Sequence, residues 1–402
     1  MKILFLSRRI PHRGVTGGHV IVYQRIRRLA ARGHEIGLIT FGTDDERYLA
    51  DELRPLLTDL VILPPPSPRR ALHRLARMMG ARIPTFFNDF RSPAFMREVG
   101  DLVERSRYDV ALAEFSAMGQ YLYGNPYLPA VRKVISCHYG VAASYRQVAD
   151  LNRFRPSGMF STISLWRGLA SYEMDMYRSA DRVLVLTAQE RLDLMRQGSG
   201  LRLSVIPAGV DTSYFTPPPD TPRDPIVLFS GHFEVEANRD AAWWFATRIW
   251  PRVRDQHPGV RFHVVGPGAT PLMRDLARRD PSVAVTDEVE DLRPFLHRAQ
   301  VFVCPVRIGS GLRVKVLEAM AAGVPVVTTS LGAEGIPIQP GDTCLIADQP
   351  PMMASYIGLL LQDEELRNSL SRQARQLVAE RFAWDRCIDQ LESVLRDTLK
   401  RV

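Results

Sequence analysis

Short unbroken apolar runs, each closed by a turn signal and followed by an amphipathic stretch, recur along the whole chain. KILFLS (2–7) is the first, and EIGLITF (35–41) is the second. Between them lies HVIVYQRIRRLAARGH, with Val22, Ile26, Leu29 and Ala30 at helical spacing and Gly33 as its stop. Runs this short and this uniformly apolar read as strands covered on both faces. Strands alternating with helices join in parallel, so the pattern predicts a doubly wound sheet. DLVILP, DVALAEF, KVISCH and RVLVLT extend it.

The pattern stops at TPPPDTPRDP (Thr216 to Pro225), where five prolines in ten residues exclude helix and central strand. It then starts again with IVLFSG, a loop HFEVEANRD and a helix AAWWFATRIWPRV. RFHVVG, VAVTDEV, VFVCPV, VPVVTT and TCLIA follow as strands. The tail from ELRNSL onward is helical, with a break near Trp384. A chain of 402 residues is long enough for two such cores. The expected fold is α/β with two Rossmann-like domains, over 1–215 and 226–380. Residues 216–225 are the linker and 381–402 the closing helix.

Composition narrows the class without choosing a function. At 46% apolar and 24% charged residues the chain has the make-up of a globular protein. No apolar run reaches the length of a membrane span, and ILFL, cut off by Ser7, Arg8 and Arg9, is too short for a secretory leader. A cytoplasmic location, or a peripheral one on the inner face of a membrane, is expected. Cys137, Cys304, Cys344 and Cys387 are too scattered for a CxxC motif and read as buried free thiols. The net charge of +8 admits nucleic acid, anionic lipid or a phosphorylated small molecule as partner.

The stretch richest in chemistry is CPVRIGSGLRVKVLEAMAAGVPVVTTSLGAEG (Cys304 to Gly335). A strand ends in the turn Gly309-Ser310-Gly311, a helix from Leu312 stops at Gly323, and another strand follows. A helix N-terminus offers unpaired N–H groups to an anion. Arg313 and Lys315 lie in that first turn, where the helix dipole alone disfavours cations, so a bound anion would account for them. Glu318, one to two turns in, is placed to accept both hydroxyls of a ribose. An ordinary βαβ unit with solvated charges remains the competing reading.

GSGLRVKVLEAMAAGVPVVTTSLGAEG resembles the donor-site motif of retaining GT-B glycosyltransferases, the family 4-like "glycosyl transferases group 1". VIPAGVDTSYFTP, IVLFSGHFEVEANRDAAWWF, ERFAWDRCIDQLESVL and GGHVIVYQRIRRLAARGHEIGLIT resemble further segments of that family, so the likeness spans both halves. The resemblance implies a GT-B fold whose last helix crosses back to the first domain. It implies transfer of a sugar from a nucleoside-diphosphate sugar to an acceptor hydroxyl, with retention and without a metal or other cofactor. Surface polysaccharide or glycolipid assembly is the implied setting.

Roles follow position by position. The catalytic set is His138, Arg313, Lys315 and Glu318. Glu318 matches the ribose-binding second glutamate of an E-x7-E motif, and His138 matches a histidine near the reacting sugar carbon. Gly17 and Gly18 match a loop approaching the diphosphate, and Gly309, Ser310, Gly311 and Leu312 match the turn facing the donor. Gly231 and His232 close the first strand of the second domain, and Val285 and Thr286 lie where the base-binding backbone runs. The sequence departs from the family twice. Ser310 stands at the first glutamate of the motif, and the usual Arg and Lys after Gly231 give way to a loop with Asn238 and Arg239. We expect Arg313 and Lys315 to supply that charge from the opposite helix.

Other features divide between functional and bland readings. Glu114 ends a strand, as a binding group or a solvated carboxylate. His138 on its own reads more readily as a packed or capping histidine, and the family resemblance brings the two readings level. His12, His19 and His34 show no metal spacing. Gly14 to Gly18 lacks the dinucleotide G-x-G-x-x-G spacing. RRALHRLARMMGARIP (Arg69 to Pro84) is either a basic helix for an anionic membrane surface or a solvated surface helix. No RNA- or DNA-binding pattern appears. The expected partners are a nucleotide sugar and a glycan or lipid-linked acceptor. A sugar-nucleotide epimerase and a non-catalytic binding protein of the same fold stay open.

Overall fold

The computed structural model describes residues 1–13, 18–66, 83–138, 140–141, 159–217, 222–309 and 311–400. The chain divides into two compact units. The first holds Met1–Arg13, Gly18–Ile206 and Ile388–Val402, and the second holds Pro207–Cys387.

The first unit is built on β1 (Lys2–Ser7), β2 (Glu35–Phe41), β3 (Leu57–Leu63), β4 (Val110–Glu114), β5 (Arg132–Cys137), β6 (Arg182–Val185) and β7 (Leu203–Val205). Their spatial order is β3-β2-β1-β4-β5-β6-β7, with every pairing parallel. Ile3 to Leu6 and Val110 to Ala113 have no exposed surface, as strands covered on both faces require. The sequence reading had no counterpart for β7, which is only three half-buried residues long.

The second unit repeats the plan with β8 (Asp224–Ser230), β9 (Arg261–Val265), β10 (Val283–Thr286), β11 (Ala299–Cys304), β12 (Val326–Thr328) and β13 (Leu345–Ile346). The order is β10-β9-β8-β11-β12-β13, again all parallel. Strand order reverses beside β1 in one sheet and beside β8 in the other. The carboxyl ends of β1 and β4, and of β8 and β11, therefore flank the two switch points where ligands bind in such sheets. Asp224 and Pro225 belong to β8; Pro225 is tolerated near a strand start, where no ladder donor is needed.

One helix differs from its sequence pattern. AAWWFATRIWPRV is not one α-helix: Glu236–Trp244 is α, Phe245–Ile249 is a π-turn, and α resumes at Trp250–Gln256. Pro251 has no N–H and its ring crowds the carbonyl four residues back, and the wider turn makes room for it. In the tail, helix Glu364–Arg381 ends and helix Trp384–Lys400 begins around Phe382 and Ala383. There the Val210 N–H donates to the Phe382 carbonyl at 2.8 Å, and Val210 bridges Ala383. All four cysteines are free and buried. Among the described residues, no helix is long and apolar enough to cross a membrane.

Candidate functional site

In the second unit, β8 ends at Ser230 and turns through Gly231 and His232, while β11 leads through Gly309 and Gly311 into helix Val314–Ala321. Gly309 and Gly311 adopt φ of +96° and +95°, a left-handed conformation that favours glycine. Gly266, at the end of β9, lies so close to Gly231 that a Cβ on it would fall 2.0 Å from the Gly231 carbonyl oxygen. The helix begins one residue after Arg313, whose side chain does not cap it.

Lys315 reaches from this helix to the end of β8. Its ammonium donates to Asn238 Oδ1 at 2.7 Å and lies 4.7 Å from the Phe229 ring centroid. A Cβ on Gly231 would fall 2.7 Å from the Lys315 Nζ, so the missing side chain leaves space for the amine. The positive charge beside Gly231 thus comes from the opposite helix. Arg239, offered by the sequence as a second cation there, instead donates to the Phe233 and Glu234 carbonyls of its own loop. Burial pulls the Lys315 amine down to about 8; neighbouring Cys304 and Glu318 oppose the shift, and Arg313 reinforces it.

Glu318 is 6% exposed, one turn further along the helix. Burial pushes its carboxyl up to about 8, with Lys315 partly offsetting the rise. Its Oε2 has no hydrogen-bond partner among the described residues, and the same holds for buried Ser230 Oγ and His232 Nδ1. Buried polar atoms are normally paired, so unpaired ones at a switch point are open to a ligand. The structure brings Gly231, His232, Lys315 and Glu318 together with Asn238, Phe229 and Cys304. Leu312 is buried, and the Arg313 guanidinium turns back toward Gly309, 3.4 Å from where a Cβ there would lie. Val285 and Thr286 stand on edge strand β10, two strands from β8; the Thr286 carbonyl accepts from the Gly266 N–H at 3.0 Å. Ser310 lies outside the described residues.

The first unit buries a different set of charges. Glu114, at the end of β4, is fully buried, not the solvated carboxylate that its strand-end position allowed. Arg25 Nη1 donates to both Glu114 oxygens at 3.0 Å and to Ser136 Oγ at 2.8 Å. His138, just past β5, places Nε2 2.7 Å from Glu114 Oε2. Burial alone would raise the Glu114 carboxyl, but Arg25 and His138 outweigh it and hold it at about 2. The His138 imidazole is lowered by burial, against the pull of Glu114. Phe115 stacks on the His138 ring at 4.0 Å between centroids, with φ of +72°, a conformation that costs a non-glycine residue about 1–3 kcal/mol. A Cβ on Gly18 would fall 2.3 Å from that same Phe115 ring.

Arg25 was missed by the sequence reading, which noted its helix only for its apolar positions. The signal was there: Arg25 lies three residues after Val22 and four before Leu29, on the buried stripe. Gly17 lies outside the described residues, as does the basic stretch Arg69 to Pro84 apart from Ile83 and Pro84. His12 and His19 stack on each other, 4.3 Å between centroids. His34 Nε2 lies 3.2 Å from Glu392 in an ion cluster that also holds Arg32. No group of three metal-ligating side chains occurs among the described residues.

A family model described as Glycosyltransferase Family 4 matches residues 15–214, and one described as Glycosyl transferases group 1 matches residues 224–363. The D-inositol 3-phosphate glycosyltransferase of Acidothermus cellulolyticus is 27% identical, over 97% of this chain and 88% of its own. The glycogen synthase of Mycobacterium tuberculosis is 28% identical over 57% of each chain. Among solved structures, sucrose-phosphate synthase from Thermosynechococcus elongatus is similar with a TM-score of 0.75, at 20% identity over 99% of both chains. The Anabaena protein HepE in complex with UDP-glucose is similar with a TM-score of 0.70, at 13% identity over 99% of this chain and 100% of its own. At these identities the structural likeness establishes the fold.

Proposed function

The chain belongs to the GT-B glycosyltransferases, family 4 in its first module and group 1 in its second, and on that premise we propose a retaining, metal-independent transfer from a nucleoside-diphosphate sugar to an acceptor hydroxyl. The observation that carries this reading is Lys315, a half-buried amine bonded to Asn238 beside Gly231. Burial makes its charge unfavourable in the free protein. A diphosphate bound there would hold the proton on the amine more firmly and gain a charge-assisted contact in return. As the sugar leaves, negative charge develops on that diphosphate, and Lys315, Arg313 and the amides around Gly309 to Gly311 would stabilise it. This cationic set does the work that a metal does elsewhere. The unpartnered Oε2 of Glu318 suits two ribose hydroxyls.

A solved relative that binds UDP-glucose makes uridine the first base to try. The relative named as a D-inositol 3-phosphate glycosyltransferase, and a 21% identical Klebsiella pneumoniae protein from a cps region, fit a small polar or surface-glycan acceptor. Ser310, at the position of the family's first glutamate, favours one competing reading, a binding protein without turnover.

The test is a thermal-shift panel of nucleoside diphosphates and their sugar conjugates, with and without EDTA. A ligand of the native state raises the melting temperature by mass action. A shift with one base, unchanged by EDTA, is expected. No shift in a folded sample would overturn the reading and leave the non-catalytic one; a shift abolished by EDTA would overturn its metal independence.

A further inference from the structure

We propose that Arg25 and Glu114 are positioning residues that fix the His138 ring as its Nε2–H tautomer, so that Nδ1 is left as the hydrogen-bond acceptor for a ligand hydroxyl. The ligand half of this inference rests on the transferase reading; the tautomer half does not.

The argument runs through hydrogen-bond chemistry. An ionised carboxylate only accepts. Glu114 is met on both oxygens by the Arg25 guanidinium, an always-charged donor, in a site where the three side chains are 1%, 0% and 4% exposed. That contact keeps the carboxylate ionised. The atom 2.7 Å from it, His138 Nε2, must then carry the proton. A neutral imidazole with a proton on Nε2 has a bare lone pair on Nδ1. That atom is buried and has no partner among the described residues. Nδ1 is therefore an acceptor without a donor.

The rest of the network holds the ring in this orientation. Ser136 Oγ, from β5, takes part of the Arg25 Nη1 and so ties the guanidinium to the strand that leads into His138. Phe115 clamps the imidazole face from the other neighbouring strand end, and its unusual backbone is held by an N–H to the Ser136 carbonyl at 2.9 Å. Arg25 Nη2 is a second buried atom of the network with no partner among the described residues. A purely structural ion pair joining a helix to a sheet would explain Arg25 and Glu114. It would not explain an imidazole clamped on its face and bonded on one nitrogen, with the other left open.

The test is nitrogen NMR on full-length protein carrying labelled histidine, with the His138 signal assigned by its loss in His138→Gln. In free wild-type protein at neutral pH we expect a protonated Nε2 and a bare Nδ1. A proton on Nδ1 overturns the proposal outright. In Glu114→Gln, whose amide can either accept or donate, we expect a mixture of tautomers, with kcat lowered at least tenfold and the KM for the nucleotide within about twofold. A single unchanged tautomer with unchanged kcat would remove the positioning role. Where Glu114→Gln fails to fold, Glu114→Asp retains the charge and should keep the tautomer while shifting the Nδ1 signal. UDP and UDP-glucose serve as probes of the ligand half. A shift of the Nδ1 signal on adding either one supports a ligand at that nitrogen, and an unmoved signal with a nucleotide bound overturns it. If neither nucleotide binds, the transferase reading fails separately, and the free-protein tautomer still decides the positioning role.

Discussion

Charge buried beside the first unit's switch point is met by opposite charge, while charge buried beside the second unit's is largely left to wait. At the end of β4, Glu114 has Arg25 and His138 against it and is held ionised at about 2. Beside β8, Lys315 has a neutral amide for a partner, and one oxygen of Glu318 has none, so burial drives both groups toward about 8. The same sheet topology thus supports a finished ion network in one module and an unfinished one in the other. A finished network gives stability and geometry. An unfinished one gives affinity, because a ligand supplies what is missing.

The largest effect should separate the two at once. Glu114→Ala leaves the Arg25 guanidinium buried without its anion, and should destabilise the protein by about 3–5 kcal/mol in urea unfolding. Lys315→Met removes a poorly compensated cation and keeps most of its apolar stem, so it should leave stability within about 1 kcal/mol or raise it. Equal losses in the two variants would end the contrast.

Ligand binding should reverse the order. Lys315→Ala should weaken nucleoside-diphosphate binding at least tenfold, about 1.4 kcal/mol, by calorimetric titration. Glu318→Ala should weaken nucleosides as well, since ribose is its expected partner. An affinity within about twofold for Lys315→Ala would place the diphosphate elsewhere.

Stability against pH sharpens the comparison further. Glu114 falls from 4.5 to about 2 on folding, so its contribution is complete above pH 4.5 and is lost as pH drops through about 2. Glu318 rises from 4.5 to about 8, so the folded state holds the extra proton and stability falls as pH climbs through that window. Lys315 drops from 10.5 to about 8, so the unfolded state holds the extra proton between those values and stability climbs again. The second module should contribute a minimum near pH 8 to urea midpoints. Glu318→Gln should erase its acid side and Lys315→Met its alkaline side. Profiles parallel to wild type across this range would contradict the burial of both groups.

How far sequence could anticipate this arrangement depends on the kind of order involved. Strands β1, β4, β8 and β11 were legible because a strand covered on both faces must be apolar throughout. Strand β7, with three half-buried residues, carries no such signature. Lys315 was legible as a cation in the wrong place for a helix dipole; that its neighbour would be Asn238, 77 positions away, was not. Arg25 was hidden by its surroundings. In RIRR it looks like one more solvated arginine, and only its register with Val22 and Leu29 marks it as buried. The fate of Glu114 depended wholly on finding that arginine, since a strand-end carboxylate without a partner stays in water.

The smallest effect concerns the glycine between the two strand ends of the second module. Gly231 lies outside the left-handed region, so alanine there meets no backbone strain. Its Cβ would meet the Lys315 Nζ at 2.7 Å and the Asn238 amide at about 3 Å, both ends of side chains that can move. Gly231→Ala should therefore cost less than about 1 kcal/mol of stability, as substitutions absorbed by flexible side-chain ends usually do. Moving the amine by a bond length should nevertheless weaken diphosphate binding several-fold, because a charge-assisted contact depends on distance. A loss of binding together with Asn238→Ala that is no greater than with either change alone would show that both act through the position of Lys315. Fully additive losses would mean that Gly231 matters for its own close approach to the ligand, and that the amine is held by something other than Asn238.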